Sequence, residues 1–322
     1  MTRIEQVDPA DDRRYAEFHD AYEASHDLDC LIPWTAREKR VLLEPDPYER
    51  CAALLARDDA GRVVGGGSAT LPRRDNLTFA YLQVWTLPDR RREGHATAVL
   101  AALEDAARAA GRTKALIGAA SPVGAERPAA PAFAAARGYE FDLRDAVREL
   151  PLPADPPDAP VDPAYRLASW PGVIPDAYVA EWARLRHILT EEAPSGDAGI
   201  ENEHWDAERV RHQERLRERQ GRDAWVTVAV APDGTLAGHT ELSLPRGSDE
   251  AHQWDTLVLP EHRGHGLGLA MKAANLRAAA PLLAGRRRIT TWNAASNAPM
   301  IAVNEALGFR LIAWEDEYVK RL

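Results

Sequence analysis

Cysteine is nearly absent: Cys30 and Cys51 are the only two in 322 residues. They form no CxxC pair, and two thiols build neither a disulfide framework nor a zinc site. No run of about 18 apolar residues occurs, so no membrane span is expected. Basic residues do not dominate, since 40 Lys and Arg stand against 50 Asp and Glu for a net charge of -10. Such a surface does not suit nucleic acid, whose phosphates need a basic face. The opening stretch MTRIEQVDPADDRRYAEF is charged and has no apolar signal core. A cytoplasmic protein is therefore expected, with no membrane and no nucleic-acid partner. Two nucleotide signatures are missing as well. There is no GK[ST] lysine-hydroxyl pair, and no GxGxxG with an acidic ribose partner.

What is present is ordinary globular material, 45% apolar and 28% charged, enough for one large or two smaller domains. The segment PLPADPPDAPVDP, residues 151–163, reads as an extended linker, because proline donates no ladder bond and restricts the residue before it. It divides the chain into 1–150 and 164–322. The two parts repeat each other. Gly61 corresponds to Gly234, Gly65 to Gly238 and Pro72 to Pro245, each at an offset of 173, and Gly138 corresponds to Gly308 at 170. Matched turn residues over such a distance indicate duplication of a whole domain.

Each part begins with helical segments, at 11–25 and 35–43, then at 176–191 and 205–219. Paired strands follow, with Asp233-Gly234 a strong hairpin signal between alternating apolar runs. The pattern then changes to strand, helix, strand, helix and a closing strand. That order predicts an α+β fold in which each domain has a mixed sheet flanked by helices.

The densest signal is LVLPEHRGHGLGLAMK, residues 257–272. A strand enters a glycine-rich turn that opens a helix, so free N–H groups and the helix dipole favour an anion. Gly264, Gly266 and Gly268 let backbone approach a ligand, and Arg263 can add charge-assisted bonds. The run Arg263-x-x-Gly266-x-Gly268 resembles the acyl-CoA loop of the GNAT superfamily of N-acetyltransferases. A later stretch, WNAASNAPMIAVNEALGF at 292–309, is similar to that family's Asn-x-x-Ala/Met segment ending in Gly-Phe.

The resemblance implies two tandem GNAT-like domains, each a mixed, mostly antiparallel twisted sheet. It implies that His265, Gly266, Leu267 and Gly268, with Arg263 and Gly264, hold the pyrophosphate of acetyl-CoA as acyl donor. Leu257, Val258 and Leu259 would pair with the pantetheine arm, and Asn297, with Asn293 as a further candidate, would contact it. The first part carries a poorer copy. Arg91-x-x-Gly94-x-Ala96 keeps the minimal pattern, but Arg92 and Glu93 replace Gly264 and His265, and no asparagine follows. The arrangement is similar to tandem GNAT enzymes such as mycothiol synthase in architecture, with the chemistry in the second half. The first half is expected to be structural or substrate-shaping. The chain is then an N-acetyltransferase for a small-molecule amine, as monomer or homodimer, or a non-catalytic acyl-CoA-binding sensor or partner protein.

Acetyl transfer to an amine calls for a base, a backbone N–H near the carbonyl and a proton for the thiolate. His252, Asp255 and Glu241 are the candidates. His252 titrates in the useful range, or is a surface histidine at a strand start. Asp255 interrupts an apolar strand, as a base with raised pKa or as a structural acid. Strict alternation puts His252 and Asp255 on opposite faces unless a bulge intervenes. Many family members have a tyrosine acid where this chain has Asn304, which cannot deliver a proton; Tyr318 is either a substitute or a packing residue. The acids of residues 189–208 suit a cationic amine or form a solvated loop.

Overall fold

The structure, a computed structural model of the chain, describes residues 1–30, 32–126, 129–194 and 196–322. They gather into two compact units. The first is Met1–Asp145 with Ser195–Glu201 and Ala313–Leu322; the second is Ala146–Pro194 with Asn202–Ile312. The division by chain order, 1–150, 151–163 and 164–322, is therefore crossed by the end strand of each half.

In the first unit β1 (Arg3–Gln6), α1 (Asp12–Ala24) and α2 (Ala36–Leu42) precede β2 (Glu49–Arg57), β3 (Val63–Pro72) and β4 (Phe79–Thr86). Then come α3 (His95–Ala109), β5 (Lys114–Pro122) and α4 (Ala129–Ala136). Strand β6 (Glu140–Pro151) runs on into the second unit. There β7 (Arg166–Pro171), α5 (Val179–Glu192) and α6 (Ala207–Gln220) lead to β8 (Arg222–Val230), β9 (Leu236–Pro245) and β10 (Glu250–Val258). The order repeats with α7 (Leu267–Ala278), a short α8 (Ala280–Leu283), β11 (Arg288–Ala294) and α9 (Ala298–Ala306). Strand β12 (Arg310–Arg321) ends the chain.

The strands of the first unit follow the order β1-β2-β3-β4-β5-β12 and those of the second β6-β11-β10-β9-β8-β7. β4 with β5 and β10 with β11 pair in parallel, while the pairs from β1 to β4, β5 with β12, and those from β7 to β10 are antiparallel. That is the mixed α+β sheet the sequence order predicts. Each half gives its last strand to the other unit's sheet: β12 pairs with β5, and β6 is the neighbour of β11.

Local sequence explains several element ends. Asp11 and Asp206 cap α1 and α6 by accepting from the N–H groups of Arg14 and Arg209, and Thr35 with Glu38 forms a capping box on α2. Gly234 takes a left-handed φ of 89° in the β8–β9 turn. The repeated glycines Gly65 and Gly238 lie against the carbonyl oxygens of Trp85 and Leu257 on the next strand, where a Cβ would collide. In the second unit, Val226, Val228 and Val230 pack with Trp182 and Leu185 on one side of the sheet, and Leu242 and Leu244 pack with Ala273 and Leu276 on the other. No described helix is long and apolar enough to cross a membrane.

Candidate functional site

Strand β10 ends in a 3-10 turn, Pro260–His262, and Arg263 then leads into the glycine loop. Gly264 and Gly266 take φ of 84° and 69°, the left-handed region that penalises any side chain. A Cβ at either would meet nothing within 4 Å, so open space lies beside the loop. Gly266 is the N-cap of α7 and no side chain caps that end. The first N–H groups of α7 are thus left for an outside acceptor, and the dipole favours an anion there. Arg263 donates from Nε to the Val258 carbonyl at 3.2 Å and forms an ion pair with Glu192 at 2.5 Å. His265 Nδ1 lies 2.7 Å from Asp162 in the proline-rich segment. Open left-handed glycines, an uncapped helix start and two basic side chains suit a pyrophosphate. An incoming anion has to compete with Glu192 and Asp162 for both basic groups.

Leu257 and Leu259 are buried, and Leu257 and Val258 pair with His239 and Gly238 of β9. On their other side β10 and β11 pair only at Glu250–His252 against Arg288–Thr290. The strands part beyond that point, beside Leu257 to Leu259, where the pantetheine arm is expected. Asn293 lies near the end of β11 and accepts from Asn304 Nδ2 at 2.6 Å. Asn297 caps α9 by accepting from the Met300 N–H, and Gly268 lies in the first turn of α7. Asn304 is fully buried and accepts from Lys272 Nζ at 2.6 Å. Lys272 is itself 1% exposed, and burial pushes its pKa down to about 7. Tyr318 lies in the core of the first unit with Leu100 and Ala134, in a packing role.

The facing of β10 turns on one extra residue. Gln253 pairs with Leu242 and Thr256 with Thr240, so Trp254 and Asp255 together face Glu241 in a bulge. His252 pairs with Ser243 and Leu257 with His239, all on the α5–α6 side. The bulge brings Asp255 to that side too, where it bonds to Arg186 of α5. Glu241 likewise bonds to Arg217 of α6. The structure thus brings all three candidate residues to one face, but gives both carboxylates to arginines. Burial, together with Arg222, Arg286 and Arg288, pushes the His252 pKa down to about 3. Its Nδ1 lies 3.1 Å from the Thr290 hydroxyl. His239 is fully buried against Trp182, with ring centroids 4.6 Å apart.

A cavity opens on this face, lined by α5, α6 and the edges of β8, β9 and β10. It holds about 60 Å³, and at roughly 10–15 Å³ per water that is room for several waters or a small polar head group. Trp182, Trp205 and Trp254 line it with Arg186, Arg217 and Arg222. Arg186 lies 4.4 Å from the Trp205 ring and Arg222 lies 5.1 Å from that of Trp254. Sequence reasoning missed these residues, which come from four separate elements and the loop before α6. Only Lys272 had a visible signal, a lone charge in the apolar helix LGLAMKAANL.

The acids of residues 189–208 face other partners than a cationic ligand. Glu192 holds Arg263, Glu191 accepts from Asn202, and Glu203 holds Arg209. Glu201 belongs to the first unit and accepts from the Asn76 N–H.

The model of the family described as Acetyltransferase (GNAT) family matches residues 14–139 and again 182–309. Among solved structures, a tandem GNAT protein from the clavulanic acid biosynthesis pathway superposes with a TM-score of 0.84 at 29% identity, covering 100% of this chain and 98% of its own. A GCN5-related N-acetyltransferase from Sphaerobacter thermophilus gives 0.69 at 16% identity over 99% and 95% of the two chains. A protein described as an acetyltransferase from Pyrococcus horikoshii gives 0.60 at 12% identity over 100% and 89%. The last two are likenesses of fold. No protein with a curated description matches the chain in sequence.

Proposed function

The chain belongs to the acetyltransferase (GNAT) family, twice over in tandem, and from that premise we propose that its second unit transfers acetyl from acetyl-CoA to a small-molecule amine. The observation that carries this is the loop Arg263–Gly268, with its left-handed glycines, open space and uncapped helix start. The backbone N–H groups from His265 to Gly268 would hold the pyrophosphate, with Arg263 alongside. The unpaired edge of Leu257–Leu259 would take the pantetheine arm, with Asn293 and Asn297 lining its course. The first unit is structural or substrate-shaping in this scheme.

Bound acetyl-CoA supplies an activated thioester: the C–N bond forms as C–S breaks, sulfur keeps the bonding pair, and one proton passes from nitrogen to the thiol through water. The bulge at Trp254 and Asp255 takes a backbone N–H out of the ladder, the kind of donor that steadies charge on the thioester oxygen. His252 is the acceptor for the amine. The Thr290 hydroxyl points to the Ala251 carbonyl at 3.4 Å, so its oxygen accepts from Nδ1–H of His252 and Nε2 carries the lone pair. With its pKa held low, His252 stays uncharged near pH 7, so Nε2 orients the amine as a hydrogen-bond acceptor but is too weak a base to keep its proton, which leaves through water. Asp255 and Glu241 set the positions of Arg186 and Arg217.

Incubation with acetyl-CoA and a panel of amines, following free CoA, tests the proposal. Absence of both CoA release and acetyl-CoA binding by calorimetry would sink it. Asn304 in place of a tyrosine acid favours a second reading, a non-catalytic acyl-CoA-binding sensor or partner protein. Tight acetyl-CoA binding with no turnover on any amine would decide for that.

A further inference from the structure

The cavity beside β10 carries a charge opposite to that expected of an acceptor site for a simple ammonium ion. Its lining contributes Arg186, Arg217 and Arg222 against Glu214 and Glu241. Each carboxylate near it is engaged: Glu241 by Arg217, Asp255 by Arg186, and Glu214 by Arg211. None is left to receive a cationic amine. The same ion pairs engage Arg186 and Arg217, so the cavity offers a plain ammonium ion no carboxylate of its own.

One polar group on the wall does lack a partner. The Ser243 hydroxyl is 1% exposed, lines the cavity, and has no hydrogen-bond partner. A buried hydroxyl left unmade costs about 1–3 kcal/mol. A ligand, an ion or an ordered water entering the cavity would complete it. Ser243 sits directly across from His252 in the β9–β10 register. It is two residues from Arg222 by pairing, since Ser243 faces Ala224 and Pro245 faces Arg222. A hydroxyl donor and guanidinium groups, walled by tryptophans, form a receptor for a small planar anion.

We propose that the acceptor is an amine that also carries a carboxylate, and that this cavity binds the carboxylate through Ser243 and Arg222. This rests on the acetyl-transfer reading above and names its substrate class. The carboxylate would sit in the cavity and the amine would project toward Nε2 of His252.

The test uses the whole chain with acetyl-CoA and matched sets, each an amino acid, its carboxamide and the amine lacking the carboxyl group, over a range of chain lengths. The free acid is expected to show at least about 10-fold higher kcat/KM than its two neutral-ended relatives. Ser243→Ala should raise KM for the acid about 5-fold and narrow that preference. Arg222→Met should narrow it further. Acetyl-CoA binding by calorimetry reports whether each variant is folded. Equal or better use of the amide or plain amine overturns the proposal while leaving acetyl transfer intact. An unchanged KM for the acid in a folded Ser243→Ala protein also overturns it. If no amine of any class is acetylated, the acetyl-transfer reading falls and this inference falls with it.

Discussion

The two units share an ancestor's backbone and differ in what they do with it. In the second, Gly264 takes a φ of 84° where the first has Arg92 at 70°. A side chain in that region costs on the order of 1–2 kcal/mol, so the first loop keeps the turn without the residue that makes it easy. Its Glu93 carboxylate is held by Arg90 at 3.0 Å and His95 at 3.1 Å, an acid where the second loop offers His265. Arg91, the counterpart of Arg263, is bound by Asp27 at 2.7 Å. Strand β4 pairs with β3 without a break from Gly65–Thr86 to Thr70–Tyr81, whereas β10 carries a bulge against β9. On the first unit's helical side Lys39 bonds to Gln83 and lies 4.1 Å from the Tyr22 ring. The corresponding side of the second unit holds the cavity. The fold therefore does not require the bulge, which occurs where the chemistry is proposed; a left-handed glycine with open space and an uncapped helix start are common to both loops, and Arg92 and Glu93 are what set the first apart.

The sharpest way to break that contrast is to damage each loop in the same manner. Gly266→Glu puts strain and a carboxylate into the proposed pyrophosphate site and should weaken acetyl-CoA binding at least about 100-fold. Gly94→Glu, at φ of 89°, should leave the affinity within about 2-fold. Calorimetry on both decides it. An equal loss from Gly94→Glu would make the first unit a cofactor site.

A smaller effect concerns the interior. Lys272 and Asn304 occupy the places that Leu100 and Ala134 fill in the first unit's core. The fold thus accepts apolar residues there, and the lysine carries a burial penalty. Its folded pKa of about 7 lies below its ordinary value. The folded state binds fewer protons than the unfolded one, so stability is lowest below pH 7 and rises toward pH 10. Lys272→Leu with Asn304→Ala should gain about 2 kcal/mol at pH 6, shrinking as pH rises, by thermal melts. No gain would mean that the polar pair stabilises the second unit in its own right.

The closing strands differ as well. In the second unit burial raises the Glu149 pKa, but Arg288 at 2.8 Å and Arg310 at 2.6 Å outweigh it and hold the carboxyl low. In the first unit burial, then Asp145, Glu315 and Asp142, push Glu317 up to about 7. Asp145 is pushed to about 6 by burial and Glu315. Raised carboxyl pKa values mean stability present below pH 4 and lost as pH climbs through 6–7. Glu317→Gln should raise stability by about 1 kcal/mol at pH 8 and by nothing measurable near pH 4.

Much of this contrast was legible in the residues. The loop could be read because its constraint is local: glycine where φ is positive, arginine beside it, helix after it. The duplication was legible through repeated glycines such as Gly65 and Gly238, which lie within strands whose close contacts tolerate nothing larger. The facing of Asp255 was not, because a one-residue bulge is set by the partner strand and leaves no mark in HQWDTL. The exchange of β6 and β12 was hidden for a similar reason, since either closing strand has the pattern to complete either sheet. Glu192 looked available for a ligand only because its partner Arg263 lies far along the chain.

The smallest predicted effect concerns the acids resting on the cradle. Asp162 meets His265 and Glu192 meets Arg263, so an arriving pyrophosphate displaces two carboxylates before it gains their partners. Both pairs are partly exposed, and exposed pairs contribute little to stability. Their removal should not move the melting temperature. It should release two donors for the ligand and lift like-charge repulsion. Asp162→Asn and Glu192→Gln should each tighten acetyl-CoA about 2-fold to 5-fold at low salt, with the gain fading at high salt. Weaker binding would mean instead that these acids hold the loop in shape. The corresponding Asp27→Asn change on Arg91 should have no effect on acetyl-CoA affinity if the first loop is no longer a cofactor site.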